Sequence, residues 1–389
     1  MKELLKECEA IFEELRTIRR EIHEYPDIGM NCDHTVRIIT AFLEKEKIPC
    51  QISAHGGVVC DLHGTRADSD HIVLIRADMD ALPLVEETGL PFSSKISGRM
   101  HACGHDMHVA ILLGSAKLLH LHRNEFSGTV RLLFQPGEEI SEGAMAMIED
   151  HVMDGVDMIL GLHMDPFAPV GTIRVREGAD WAAVDRFTIT IHGTSSHGAM
   201  PQKGADATVA ASAVLQALQT VVSRQTNPVS PLVITVGSFH SGTAWNIISD
   251  LAIMEGTCRC FDQEIYDALP DLLERVVTEI PKAYGCTGEI SLNRKSSPVI
   301  NDPAVYELFC SAASKVIGSD RVLPAEKEMI GEDFACYLSF APGCFVHLGG
   351  ESTCPLHSSH IVFQEEAIPF GTAAEVQFAI DALAKLNHQ

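Results

Sequence analysis

The first half of the sequence alternates short apolar runs with helix-like stretches, and this alternation limits the possible folds more than any other feature. Residues 71–78, 129–134 and 158–162 are apolar runs of strand length, whereas residues 109–121 have the length and composition of a helix. Strands that alternate with helices in this way are typical of an α/β domain with a mostly parallel sheet. We therefore predict such a domain at the start of the chain.

Polar side chains that suit metal binding or catalysis follow these apolar runs. Asp78, Asp80, the segment 135–139 and His163 each come at or after the end of a predicted strand. Ligands of open α/β sheets bind beyond the carboxyl ends of the strands. We therefore expect these groups to lie at one edge of the sheet.

The pattern changes after about Gly178. The elements predicted beyond it are strands near 186–191, 232–239, 252–261 and 289–293, and helices over 205–222 and 268–280. The order β-α-β-β-α-β describes a small α+β domain inserted into the first one. We predict a catalytic domain over residues 1–180 and 294–389, and an inserted domain over residues 181–293.

Composition narrows the class of protein. The chain has 389 residues, of which 46% are hydrophobic, and this is enough for two domains with large cores. Its net charge of -24 argues against nucleic acid and anionic membranes as partners. No apolar run reaches membrane-spanning length, and the charged N-terminal segment lacks the features of a signal peptide. The 12 scattered cysteines indicate reduced thiols, so we expect a cytoplasmic protein.

Two short segments combine the side chains that a hydrolytic metal centre needs. Cys103 and His105 lie two residues apart beside a glycine, and Glu138 and Glu139 are adjacent after an apolar run. Cys, His and Glu bind borderline-soft divalent cations, and one carboxylate can move protons while its neighbour binds metal. Each feature also has a plainer interpretation: a packed cysteine, a capping histidine, or acids at a helix N-terminus.

The motifs of the chain, taken in order, resemble those of one family. They are His23-Glu24-Tyr25-Pro26, Arg76-Ala77-Asp78-Met79-Asp80, His101-Ala102-Cys103-Gly104-His105-Asp106, Gln135-Pro136-Gly137-Glu138-Glu139, Gly161-Leu162-His163, Gly193-Thr194-Ser195-Ser196-His197-Gly198, Asn246-Ile247-Ile248 and Gly331-Glu332-Asp333-Phe334. The family is the dinuclear-metal amidohydrolases that include bacterial aminoacylases, hippurate hydrolases and plant auxin-conjugate hydrolases. The resemblance covers essentially the whole chain.

The resemblance implies a role for the residues of the predicted catalytic domain. The implied ligands of two divalent cations (Mn, Zn, Co or Ni) are Cys103, His105, Glu139, His163 and His357. Glu138 is implied as the general base, and Asp80, with Asp78 and Asp106 as weaker candidates, as a group that orients ligand imidazoles. His101 and His108 are expected to be structural.

The resemblance also implies roles for the inserted domain, as a lid and a dimerisation domain. His197 would stabilise the oxyanion of the tetrahedral intermediate and would come from the partner subunit, which implies a homodimer or a larger assembly of dimers. Asn246 would contact the substrate beside it, and Arg259 is a weaker candidate for binding the substrate carboxylate.

The implied reaction is hydrolysis of an N-acyl-L-amino acid to a carboxylate and a free amino acid. The substrate would be a small molecule with an N-acetyl or aromatic acyl group. Two alternatives stay open: a dipeptidase or carboxypeptidase with the same machinery, and a metal-binding protein without catalysis. The second carboxylate beside Glu139 argues against the last of these, because a pure binding site does not need it.

Overall fold

A computed structural model describes residues 2–388 of the chain. Its α-helices are α1 (Lys2–Glu24), α2 (Asp33–Lys45), α3 (His105–Leu121), α4 (Gly143–Glu149), α5 (Ala207–Thr220), α6 (Gln263–Glu279), α7 (Pro303–Ile317) and α8 (Ile368–Leu386). Its strands are β1 (Gln51–Ile52), β2 (Val58–His63), β3 (Ile72–Asp78), β4 (Thr129–Gln135), β5 (Val156–Asp165), β6 (Ile173–Val175), β7 (Gly178–Ala179), β8 (Val184–His192), β9 (Ser196–His197), β10 (Leu232–Ser241), β11 (Ile247–Ile248), β12 (Leu251–Cys260), β13 (Thr287–Ser296), β14 (Ile300–Asn301), β15 (Val322–Pro324) and β16 (Gly343–Gly349).

The larger sheet has eight strands in the order β1-β2-β4-β3-β5-β16-β6-β15. Its four central strands, β4, β3, β5 and β16, run parallel to one another. Antiparallel pairs lie toward the edges, where β1 joins β2, β2 joins β4 and β6 joins β16. The predicted α/β fold with a mostly parallel sheet is confirmed, and the parallel centre directs several carboxyl ends to one edge.

Helices α1, α3 and α8 pack against one another and form a layer beside this sheet. Helix α3 is buried on nearly all sides, as its apolar sequence requires. Helix α1 ends at Glu24, two residues before Pro26, which cannot continue a helix. Helix α3 begins at His105, four residues before the predicted start, so this candidate ligand occupies the first helical position.

The second compact unit contains an antiparallel sheet with the strand order β10-β12-β8-β13. Helices α5 and α6 cover one face, and Phe187, Cys258 and Cys260 belong to the core beneath them. The side chains of Asp206 and Asp262 cap the first turns of α5 and α6, so each helix begins where its capping residue stands. The short strands β9 and β11 pair separately.

Contacts divide the chain into a unit of Met1–Asp180, Ile300–Glu326 and Asp333–Gln389, and a unit of Trp181–Val299 and Lys327–Glu332. The insert predicted from the sequence ends at residue 293, which lies within β13. Among residues 2–388, no helix combines the length and apolar character needed to cross a bilayer. The twelve cysteines all lie within the described residues, and none of them forms a disulfide there.

Candidate metal centre

The candidate site lies at the carboxyl ends of three neighbouring parallel strands. Asp78 is the last residue of β3, and Gln135 is the last residue of β4. His163 lies within β5, two residues before the strand ends at Asp165, whereas the sequence placed it after the strand. The order β4-β3-β5 brings the segments that follow these residues together.

The loop before α3 carries Cys103 and His105. Gly104 between them has φ +100°, and a Cβ atom there would lie 2.8 Å from Met164 Cγ on β5, so this position favours glycine. The His105 ring lies beside the residues that follow β3, and its Nδ1 donates to the Asp80 carbonyl oxygen at 2.8 Å. That bond leaves the Nε2 lone pair of His105 available to a ligand.

The other predicted ligands gather around this ring. His163 donates from Nδ1 to the carbonyl oxygen of Met164, and its Nε2 lies 3.3 Å from Cys103 Sγ. His357 Nε2 lies 3.5 Å from Glu139 Oε2. Their donor atoms form overlapping sets, within each of which all atoms lie within 4.8 Å of one another: Cys103, His105 and His163; Cys103, Glu139 and His357; His105, Glu138 and Glu139.

Glu138 and Glu139 lie on the loop between β4 and α4. The Asp80 carboxylate accepts hydrogen bonds from the backbone N–H groups of Glu138 at 2.9 Å and Glu139 at 3.2 Å. Asp80 thus orients His105 through its backbone carbonyl, while its side chain positions the glutamate loop. The sequence suggested only the first of these two functions.

Two buried atoms of the cluster have no hydrogen-bond partner. They are His105 Nε2 and Glu139 Oε1, which lie 4.0 Å apart, and Glu138 Oε2 lies 3.9 Å from the same nitrogen. An unpaired buried polar atom is costly, and a cation bound between these atoms would remove that cost. The donor set of thiol, imidazole and carboxylate therefore fits borderline-soft divalent metals.

The charges around His105 also favour a bound cation. Burial lowers the pKa of His105, but the carboxylates of Asp78, Asp80 and Glu139 outweigh it and raise the pKa to about 10. Burial raises the pKa of Glu139 to about 7, and the negative charges of Asp80 and Asp78 add to the effect, while His105 opposes it. The site concentrates negative charge that a divalent cation would offset.

His108, expected to be structural, also lies beside the site. Its Nδ1 is hydrogen-bonded to the Asp78 carboxylate, and its Nε2 accepts from the Met164 N–H at 2.9 Å. Although Asp78, His105 and His108 are close enough to share a cation, both nitrogens of His108 are already engaged. Asp78 also pairs with the buried Arg76, which precedes it by two residues on the same face of β3.

The second unit carries His197, Asn246 and Arg259. His197 lies on β9 opposite Ile247 of β11, and the next residue along, Gly198, donates its N–H to the Asn246 carbonyl oxygen at 2.7 Å. The exposed His197 ring accepts the Ala199 N–H at Nδ1, so the neutral ring has its proton on Nε2. Arg259 lies on β12, half-buried, with Nη1 donating to the Cys258 carbonyl oxygen at 2.9 Å.

The fold and the donor set are those of a metal-dependent hydrolase, and comparison with known proteins agrees. The profile of Peptidase family M20/M25/M40 matches residues 74–381. An N-acetylcysteine deacetylase of Bacillus subtilis is 38% identical over 97% of this chain and 99% of its own length. A thermostable carboxypeptidase of Saccharolobus solfataricus is 37% identical, and the match covers 93% of this chain and 94% of the relative.

A solved structure leads to the same family. A Bacillus subtilis protein described as a dinuclear metal binding peptidase from the M20 family superposes with a TM-score of 0.86. It is 37% identical, and the match covers 97% of this chain and 99% of that one. The chain therefore belongs to peptidase family M20/M25/M40 and is a hydrolase that acts on amide bonds, so the family expected from the motifs is confirmed.

Proposed function

We propose that this hydrolase removes the acyl group from N-acyl-L-amino acids and requires two divalent cations. The observation that carries the proposal is the cluster of the five expected ligands together with a sixth group, the Glu138 carboxylate, which lies 3.9 Å from the buried His105 imidazole. A site for binding alone would not need this extra carboxylate. Twelve cysteines without a disulfide suit a reducing compartment, and we propose the cytoplasm.

Cys103, His105, Glu139, His163 and His357 would hold the two cations. When bound, the cations would polarise the scissile carbonyl group and acidify the attacking water. Three imidazoles, one thiol and one carboxylate leave room in both coordination shells, which the reaction needs. The metal would be Mn, Zn, Co or Ni.

Glu138 would act as the base and then as the acid. It would take a proton from the water as the water oxygen attacks the carbonyl carbon, and return that proton to the nitrogen as the C–N bond breaks. The Asp80 carboxylate supports this function because it holds the backbone of Glu138 in place.

His197 would donate a hydrogen bond from its Nε2–H group to the developing oxyanion, and Asn246 would contact the substrate. Arg259 would bind the substrate carboxylate after releasing its contacts with its own strand. We propose that these groups act across a homodimer. Strand β10 is an edge strand of the smaller sheet, and exposed apolar side chains on its unit, among them Trp245 and Leu251, would suit a subunit interface.

Substrate class is tested by release of free amino acid from metal-stripped protein to which Mn, Zn or Co has been restored. The panel contains N-acetyl and N-benzoyl amino acids and dipeptides that share the same C-terminal residue. We expect acyl amino acids to be cleaved with higher kcat/KM than the dipeptides. No cleavage of any acyl amino acid with any of the three metals would contradict the proposal.

A peptidase is the second candidate, because a relative that is 37% identical is a carboxypeptidase by name. The same base and cations would cleave a peptide amide. Higher kcat/KM for the dipeptides of the panel would favour this candidate over the amidohydrolase.

A further inference from the structure

One motif of the sequence, Gly331-Glu332-Asp333-Phe334, has no function in the reaction described above. Its aspartate is buried in the larger unit, with 1% of its surface exposed. We propose that Asp333 is a positioning residue that fixes the loop carrying Glu138 and Glu139, and thereby sets the affinity of the site for its cations. The proposal rests on the function proposed above.

The Asp333 carboxylate is bonded to both ends of that loop. It accepts two hydrogen bonds of 2.9 Å from the Gln135 side-chain amide, at the end of β4, and one of 2.9 Å from the Ala144 N–H, in the first turn of α4. Glu138 and Glu139 lie between these two points. One carboxylate thus closes a loop whose two ends belong to different elements.

The backbone of the loop is tight enough to transmit this constraint. The Gly143 N–H donates to the Gly137 carbonyl oxygen at 3.0 Å, and the Ser141 N–H donates to the Glu138 carbonyl oxygen at 2.7 Å. A Cβ atom on Gly143 would lie 1.8 Å from the Pro136 carbonyl oxygen. A displacement of either end would therefore move the two carboxylates of the loop.

The hydrogen-bond network of Asp333 also extends through Arg76 and Asp78 toward the His105 imidazole. Arg76 donates from Nη2 to Asp333 at 2.8 Å and from Nε to Gln135 at 2.8 Å, and its Nη1 is paired with Asp78. Asp78 Oδ2 in turn lies 3.6 Å from His105 Nε2. Asp333 therefore connects the loop of Glu138 and Glu139 to the surroundings of His105 through the buried Arg76 guanidinium.

The chemistry of the network requires a carboxylate at this position. Three donors converge on Asp333, from Arg76, Gln135 and Ala144, and a carboxylate offers two acceptor oxygens and no donor. An asparagine would direct an N–H group at one of these donors and leave the guanidinium with less compensation.

The test is the substitution Asp333→Asn, with cation affinity measured by calorimetric titration of Co²⁺ or Zn²⁺ into metal-stripped protein. We expect the variant to bind each cation about 10- to 100-fold more weakly than the wild type, the usual effect of losing a group that supports metal ligands. A folding defect alone would not change the affinity of molecules that remain folded at the titration temperature. Thermal unfolding of the stripped protein therefore accompanies each titration.

The matched control is Asp61→Asn, which removes the charge of Asp61 and one of the two hydrogen bonds of 2.8 Å that it accepts from Arg131, on strands of the same sheet. It should lower stability without changing cation affinity. If Asp333→Asn does not fold, Gln135→Met decides the question, since it removes the hydrogen bonds from Gln135 to Asp333 and leaves the ion pair of Asp333 with Arg76 in place; we expect affinity at least fivefold weaker. Wild-type affinity in the folded variant overturns the proposal, whereas a wild-type protein that binds no cation overturns the proposed function.

Discussion

Glu138 and Glu139 are neighbours in the sequence, but their surroundings differ. Glu139 lies between two imidazoles, 4.0 Å from His105 Nε2 and 3.5 Å from His357 Nε2. Glu138 lies 3.9 Å from His105 Nε2 on the same loop. The two imidazoles beside Glu139 support the proposal that Glu139 binds the cations and that Glu138 transfers protons.

The substitution Glu138→Gln tests whether Glu138 transfers protons and Glu139 binds the cations. The amide keeps the size of the side chain but cannot take a proton from water. We expect turnover to fall by roughly 10²- to 10⁴-fold, which is the usual contribution of a general base, with both cations retained. Turnover and metal content are measured on the same sample.

The control for this variant is Glu142→Gln, which changes an exposed carboxylate of the same loop. It should preserve both turnover and metal content. Loss of cations from Glu138→Gln would contradict the assignment, because Glu138 would then be a ligand.

At the residue scale, the sequence indicated donor types but not their bonds. Cys103, His105 and Glu139 were predictable as candidate ligands because their side chains suit divalent metals and occur within known motifs of the family that the chain resembles. The bonds of Asp80 to the amides of the glutamate loop were not predictable, because they join residues 58 and 59 positions apart. The hydrogen bond between His108 and Met164 was not predictable either, because the two residues are 56 positions apart.

At the scale of elements, the pairing of α3 with α8 buries an acidic side chain. Glu375 on α8 is 2% exposed, and Ser115 on α3 donates to its Oε2 at 2.6 Å. Burial raises the pKa of Glu375 from 4.5 to about 8, although the Ser115 hydrogen bond opposes the shift. The folded protein therefore retains this proton at pH values at which the unfolded chain has released it.

This difference makes stability depend on pH. The free energy of unfolding should fall as the pH rises above 4.5, and the loss should be complete above pH 8. We expect Glu375→Gln to be close to neutral at pH 4.5 and to stabilise the protein by roughly 5 kcal/mol at pH 9, since each unit of pKa shift corresponds to about 1.4 kcal/mol. Urea unfolding at both pH values measures the change.

The exposed Glu366→Gln is the control, with little effect expected at either pH. Equal effects of Glu375→Gln at pH 4.5 and pH 9 would show that the carboxyl group does not titrate as described.

The elements themselves were largely predictable because their periodicity is local. The start of α3 was wrong by four residues, because the apolar pattern begins at Val109 while the Gly104 backbone starts the helix at His105. The end of β5 was also wrong, because His163 interrupts the apolar run while its backbone continues the ladder with His347. The side-chain network of Asp333 joins residues 189 to 257 positions apart, which no local pattern encodes.

At the scale of the whole molecule, the central question is whether one site uses residues of two chains. The change of pattern near Gly178 predicted a second domain because strand alternation is readable without tertiary contacts. An interface between subunits has no comparable periodic signal, so the homodimer rests on family resemblance and exposed apolar side chains.

Subunit mixing tests the shared site. Inactive His197→Ala and Glu138→Gln proteins are mixed under conditions that exchange subunits, with mass-tagged chains to verify exchange. If His197 acts on the partner's site, each mixed dimer has one intact site, and about a quarter of wild-type activity should return. Verified exchange without any recovery would place both residues in the same chain's site.

The most direct test of the account is a titration that follows cation binding and amide hydrolysis in one sample of metal-stripped protein. We predict that hydrolysis of an N-acyl amino acid is absent before metal is added and reaches its plateau when two divalent cations are bound per chain. Full hydrolysis by the stripped protein, or a plateau reached with no cation bound, would contradict the metal centre on which the account depends.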